Sequence, residues 1–241
     1  MTMLTRTRNG PDLLSWFLIT AFFILFLTAN TATAYAHAVT LGDKGYIQEV
    51  SGVRLIPFIY LGAKHMVTGY DHILFLLGVI FFLWGMKQIA TYVSLFAIGH
   101  STTMLAGVYF DFGISSYIID AIIGFSVVYK ALDNLGAFKA WFGVQPDTKI
   151  ATLLFGFMHG FGLASRLIEY DVAPEGKWVN LIAFNIGVEV GQLLALAAIL
   201  TAMTYWRRTN AFVRQAYAAN VLMMTAGFVL MGLQITGYFV S

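Results

Sequence analysis

The 241-residue chain is 59% hydrophobic and only 11% charged, against roughly 25% charged in an average soluble domain, so most of its mass is read as membrane-embedded. The absence of cysteine excludes disulfides, thiolate metal sites and iron–sulfur clusters. A formal net charge of +2 carries no nucleic-acid signature, and no nucleic-acid partner is expected.

Residues 1–36 have the layout of a secretory signal peptide. Arg6 and Arg8 form a basic leader, Leu13–Ala29 an apolar stretch, and Ala34-Tyr35-Ala36 a small-x-small cleavage site. Cleavage there makes His37 the new N-terminus; the alternative is an uncleaved anchor. Residues 37–56 are mixed in polarity and read as a short exported segment, and residues 57–241 as one membrane domain. Within it Ile56–Thr68 is apolar but too brief to span, and Gly69 separates it, as an interfacial or re-entrant piece, from the first full helix.

Six spanning helices are expected at about 70–86, 88–108, 114–132, 149–168, 178–204 and 215–240, from the need for ~20 apolar residues per crossing. The fold class is therefore all-α, a polytopic bundle of six transmembrane helices after a signal peptide. With the mature N-terminus outside, the inner loops hold Lys87, Lys130, Lys139, Lys149, Arg207, Arg208 and Arg214. The outer inter-helix loops hold Arg166 and Lys177 beside Asp111, Glu169, Asp171 and Glu175. That bias obeys the positive-inside rule and places both mature termini on the periplasmic side of a bacterial inner membrane.

Ionisable groups inside such helices are expensive, at roughly 2.5–3.5 kcal/mol for an acid at the centre of a span, and so point to function. His65, His72, His100 and His159 lie in or at the lip of apolar segments, together with Asp71, Asp120 and Glu189. At 1.5 Å per residue, Asp71 and His72 begin the first span at its outer end. His100 lies roughly 12 Å and Asp120 roughly 9 Å down theirs, His159 near mid-depth, and Asn185 and Glu189 roughly 10 and 16 Å down. Converging imidazoles and carboxylates can hold a borderline cation once deprotonated, releasing protons as they do so.

His65, Asp71, His72, His100, His159 and Glu189 are the candidate ligands. Asp120, Ser101, Asn185 and Gln192 are candidate supporting groups, Asp120 as the carboxylate behind a histidine or a helix–helix hydrogen bond. Asn185, Glu189 and Gln192 follow one helical face. The small-xxx-small pairs Gly156–Gly160 and Gly187–Gly191 would let two helices close on one another and bring His159 and Glu189 to the same ion. Phenylalanines and methionines read as packing or lipid-facing residues.

These residues also carry a family resemblance. His65-Met-Val-Thr-Gly-Tyr-Asp71-His72 is similar to the His-x5-Asp-His motif of the HupE/UreJ family of membrane proteins. Phe96-Ala-Ile-Gly-His100-Ser101, Phe157-Met-His159-Gly160-Phe-Gly162-Leu-Ala164 and Phe184-Asn185-Ile-Gly187-Val-Glu189-Val-Gly191-Gln192 resemble its further blocks, over roughly residues 55–200. The likeness is to the broader second branch, because hydrogenase-linked members carry a second His-Gly-x-Glu where this chain reads Phe-Gly-Leu-Ala-Ser. Family members associated with hydrogenase and urease systems are regarded as nickel or cobalt permeases, so the resemblance implies metal uptake.

A secondary permease for a divalent first-row metal (Ni, Co, Zn or Cu by ligand type) is the leading functional reading. Its partners would be the metal ion and the lipid bilayer, with a homo-oligomer or a metalloenzyme-maturation protein as further candidates. The rivals are an intramembrane metallohydrolase, with three histidines and a carboxylate base, and an accessory subunit that delivers metal. The inner half offers few polar groups, Ser126, Thr91 and Ser94 among them, and no exit path is legible. The leader reading has a direct check: an intact-mass measurement of the purified protein is expected to start at His37, and an intact Met1 would refute cleavage.

Overall fold

A computed structural model describes residues 47, 51–112, 114–170 and 172–240. The proposed leader and His37 lie outside the described residues. Those described are all helical, without strands: α1 (Leu55–Thr68), α2 (Tyr70–Ile80), α3 (Met86–Phe110), α4 (Ser116–Leu135), α5 (Ala137–Phe142), α6 (Thr148–Glu169), α7 (Lys177–Arg207) and α8 (Ala211–Val240). Four of them, α3, α6, α7 and α8, are long and apolar enough to cross a membrane. The chain is thus a multi-pass membrane protein. The 20-residue α4 has Asp120, Lys130 and Asp133 along its length, and α2, expected over 70–86, has only 11 residues.

Helix association in a bilayer depends on close packing, since lipid tails are as apolar as leucine. Three helix pairs meet here with their backbones almost touching, and glycines make each contact possible. A Cβ on Gly62 would overlap the Phe184 carbonyl, one on Gly187 the Ile59 carbonyl, and one on Gly191 would lie 2.5 Å from the Ala63 carbonyl, so α1 and α7 run parallel in close register. The start of α1 is clamped to α7 as well: Asn180 donates to the Gly52 carbonyl at 2.9 Å and accepts from the Arg54 amide at 2.7 Å. Gly99, Gly156 and Gly160 do the same for α3 and α6, against Leu153, Phe96 and His100, again in parallel. Gly124 and Gly227 join α4 to α8, antiparallel, with Gly237 against Tyr117.

These pairings correct one expectation. Gly156–Gly160 and Gly187–Gly191 do not bring α6 and α7 together; the first packs on α3 and the second on α1. A small-xxx-small pair marks a face that admits a close neighbour, and says nothing about which neighbour comes.

α2 lies among the three pairs. Its start is set by the break at Gly69, whose extended backbone (φ −72°, ψ 105°) ends α1, with the Gly69 amide on the His65 carbonyl at 3.0 Å. Its far end is capped by Arg207 from α7, which donates to the carbonyls of Leu83 (2.9 Å), Phe81 (2.8 Å) and Ile80 and lies over the Trp84 ring at 4.8 Å. A cation there complements the negative end of the helix dipole. Phe81, Trp206 and Phe212 pack around it, with ring centroids 5.1–5.7 Å apart.

Of the nine basic groups expected in loops, all but Arg208 belong to helices, most of them at helix ends, and two, Lys130 and Arg166, turn to carboxylates. Lys130 is buried in α4 and pairs with Asp133, which also accepts from Thr148 at 3.2 Å. Arg166 lies in the last turn of α6. Both side chains follow the helix inward to a carboxylate.

Replacing Gly187 by Ala is expected to destabilise the protein by roughly 1–3 kcal/mol through overpacking. The open position Gly232, with nothing within 4 Å of a new Cβ, serves as the control. Thermal unfolding in detergent measures both.

Candidate metal centre

The centre forms around the break between α1 and α2. His65 stands one turn before the end of α1, and Asp71 and His72 open α2. Gly69 lacks a side chain at the one place where it would collide: a Cβ there would sit 2.8 Å from His72 Nδ1 and 3.1 Å from Asp71 Oδ1. The break therefore folds the two imidazoles toward each other, with ring centroids 5.1 Å apart at an interplanar angle of 77°.

His100 arrives from α3 and His159 from α6, their ring centroids 5.8 and 5.0 Å from that of His72. Gly160 sets this approach, because only a glycine lets α6 close on the His100 carbonyl. Thr103 ties the same level together by donating to the Phe157 carbonyl at 2.7 Å. All four histidines are buried, His72 with 1% of its surface exposed. Among the described residues, His65, His72 and His100 each offer one ring nitrogen such that all three lie within 4.8 Å of one another. This cluster can hold a metal ion.

Proton positions on two rings follow from their partners. His72 Nδ1 is 2.9 Å from Asp71 Oδ1, which also accepts from the His72 backbone amide at 2.8 Å. A carboxylate on Nδ1 places the proton there and leaves Nε2 as the lone-pair donor, the usual support of a metal-ligating histidine. His159 Nδ1 donates to the Phe155 carbonyl at 2.7 Å, which likewise leaves Nε2 basic. Asp71, a candidate ligand by sequence, turns its Oδ1 to His72. The reason is local: it precedes His72 in the first turn, where its carboxylate meets its neighbour's N–H.

The other sequence candidates stand apart from the three-nitrogen cluster. Glu189 is half-buried and accepts from Ser101 at 3.2 Å, in an open groove between α3 and α7 that Ser94 and Thr102 also line. Asp120 faces Arg166 at 3.1 Å, its side chain 1% exposed and that of the arginine 15%. Gln192 donates to the Val93 carbonyl at 3.2 Å, joining α7 to α3. Asn185 keeps a buried side-chain oxygen with no hydrogen-bond partner among the described residues.

Sequence reasoning missed the enclosure. Phe96 lies 4.9 Å from His159, 6.0 Å from His100 and 6.2 Å from His72, Phe75 lies 5.4 Å from His159, and Phe184 lies 6.2 Å from His65. These rings exclude water and lower the local dielectric, which strengthens any cation–ligand attraction. A signal was available: Phe96 precedes His100 by four and Phe75 follows His72 by three, so each shares a helical face with a histidine.

The midpoint of the bundle, not its outer end, holds the cluster. His159 is the twelfth residue of the 22 in α6, and His72 touches it. The expected depth of Asp71 and His72 placed them at the mouth because it began the first helix at residue 70.

Residues 41–241 match the family described as HupE / UreJ protein. Neither a curated protein nor a solved structure matches the chain.

The Asp120–Arg166 pair yields a clear expectation. Asp120→Asn leaves the guanidinium largely buried beside a neutral partner and should cost about 3 kcal/mol of stability. Metal affinity of the protein that remains folded should be unchanged. Denaturation in detergent and metal titration read the two effects separately.

Proposed function

The chain belongs to the HupE/UreJ family, a family of membrane proteins linked to nickel and cobalt uptake, and from that premise we propose that it is a permease for a divalent first-row metal ion. The observation that carries the proposal is the meeting of His65, His72 and His100, from three different helices, at a helix break midway through an apolar bundle. Three neutral imidazoles suit Ni²⁺, Co²⁺, Zn²⁺ or Cu²⁺ and ill suit Mg²⁺ or Ca²⁺, which prefer oxygen. Secondary transporters bind cargo near the midplane at broken helices, where termini and side chains replace the water an ion sheds.

Six crossings are proposed, the first of them discontinuous. Leu55–Thr68 and Tyr70–Ile80 together rise roughly 39 Å, enough for a hydrocarbon core of about 30 Å. Helix directions support this count. If α1 and α2 make one inward crossing, alternation requires α1 and α7 to be parallel, α3 and α6 to be parallel, and α4 and α8 to be antiparallel, as their glycine contacts are. The orientation taken from the charge bias, with termini in the periplasm of an inner-membrane protein, completes the proposal.

In this scheme the ion enters from the outer side and passes Glu189 and Ser101. In the α1–α7 register these lie about one turn outward of His65, so the carboxylate draws a cation toward the imidazoles. His65, His72 and His100 then take over coordination, with His159 at the edge of the group. Asp71 supplies a nearby negative charge and fixes His72 with Nε2 presented.

Metal flux tests the proposal. Proteoliposomes holding a metal-sensitive dye should take up Ni²⁺ or Co²⁺, and His72→Ala should abolish both uptake and binding. Asp71→Asn should weaken affinity by about 10–100-fold, the usual consequence of losing a carboxylate behind a ligating histidine. Tight binding without flux would refute transport and turn the reading toward a metalloenzyme or a delivery subunit.

A further inference from the structure

Below His72, between α1, α2, α3 and α6, lies a narrow cavity with space for about one water molecule. Its walls are apolar and include Met66, His72, Phe75, Phe96 and the non-polar parts of Tyr92 and Thr152. A second, open cavity of about 220 Å³ lies at the end of the bundle where α3 and α6 begin, lined by Leu83, Lys87, Gln88, Thr91 and Lys149. Tyr92 is the one residue that lines both. It is half-buried.

We propose that Tyr92 is the inner gate of the metal path: its ring closes the passage between the imidazole cluster and the vestibule lined by Lys87, Gln88 and Lys149. This inference rests on the permease reading. The geometry gives the order of events. Cargo released from His72 passes the Met66 side chain and the apolar faces of Thr152 and Tyr92, and leaves when the phenol swings aside about its two side-chain torsions. A closed gate at one end while the cluster forms at mid-bundle is what alternating access requires.

The chain contains no cysteine, so single reporter thiols can be introduced into the full-length protein directly. Thr152→Cys places one inside the cavity, losing only a bond from that hydroxyl to the Thr148 carbonyl of its own helix. Gln88→Cys places another in the vestibule. A small water-soluble methanethiosulfonate, applied without metal from the face that carries Lys87 and Lys149, should modify Gln88→Cys quickly in every background. Thr152→Cys should react slowly with Tyr92 or Tyr92→Phe present, and roughly tenfold faster with Tyr92→Ala, the change expected when a barrier of about 1.4 kcal/mol is removed. Equal Thr152→Cys rates with Tyr92 and Tyr92→Ala would overturn the gate, as would a rate matching Gln88→Cys while Tyr92 is in place. Should Tyr92→Ala lose metal binding through misfolding, Tyr92→Val provides the same comparison. Labelling needs no cargo, so the two readings fail separately: bound metal without flux sinks the permease, whereas flux with Tyr92-independent labelling sinks only the gate.

Discussion

Close approach of helix backbones at glycine is the constraint on which the rest depends. Where α3 meets α6, Gly160 lies at the level of His100, and its missing Cβ leaves room for the His100 carbonyl and the Thr103 hydroxyl, so a backbone contact sets the height of that imidazole. The same holds for His65, whose helix is registered against α7 by Gly62, Gly187 and Gly191. Leucine-on-leucine packing would leave the helices free to slide, because lipid competes equally well for apolar surface. Glycine contacts remove that freedom, and a three-nitrogen cluster needs it removed.

Burial then decides what the clustered groups can do. Asp71 compensates His72 locally, and the Phe75, Phe96 and Phe184 rings keep solvent from screening whatever charge the cluster accepts. Asp120 and Arg166 offset part of their desolvation by pairing across α4 and α6. Glu189 remains partly open in its groove, where it accepts from Ser101 at 3.2 Å.

Much of this architecture was legible. The runs at 88–108, 114–132, 149–168, 178–204 and 215–240 are long and apolar, and the helices that form differ from them by four residues or fewer at each end. The break at Gly69 was legible too, from a glycine between two apolar pieces. The extent of the first crossing was not, since Phe81-Phe82-Leu83-Trp84 prolongs the apolar run beyond the end of α2. Those side chains serve instead in the aromatic group around Arg207. Histidine type and number pointed to the centre. The neighbours of Asp71 and Glu189 were not legible, because hydropathy gives depth along a helix but not which helix lies opposite.

His65, His72 and His100 also have a mechanical position. His65 belongs to the α1–α7 pair and His100 to the α3–α6 pair. His72 stands on α2, which leans on the α4–α8 pair where Asn134 donates to the Gly78 carbonyl at 2.9 Å and to Asn220 at 2.9 Å. Within each pair backbones touch; the bonds that join one pair to the next, such as those of Asn134 and Gln192, run through side chains. A cation bound to all three imidazoles would act as a keystone, adding nothing to the integrity of any pair while locking the angles at which the pairs lean together. Its departure would leave three sturdy units and loose joints.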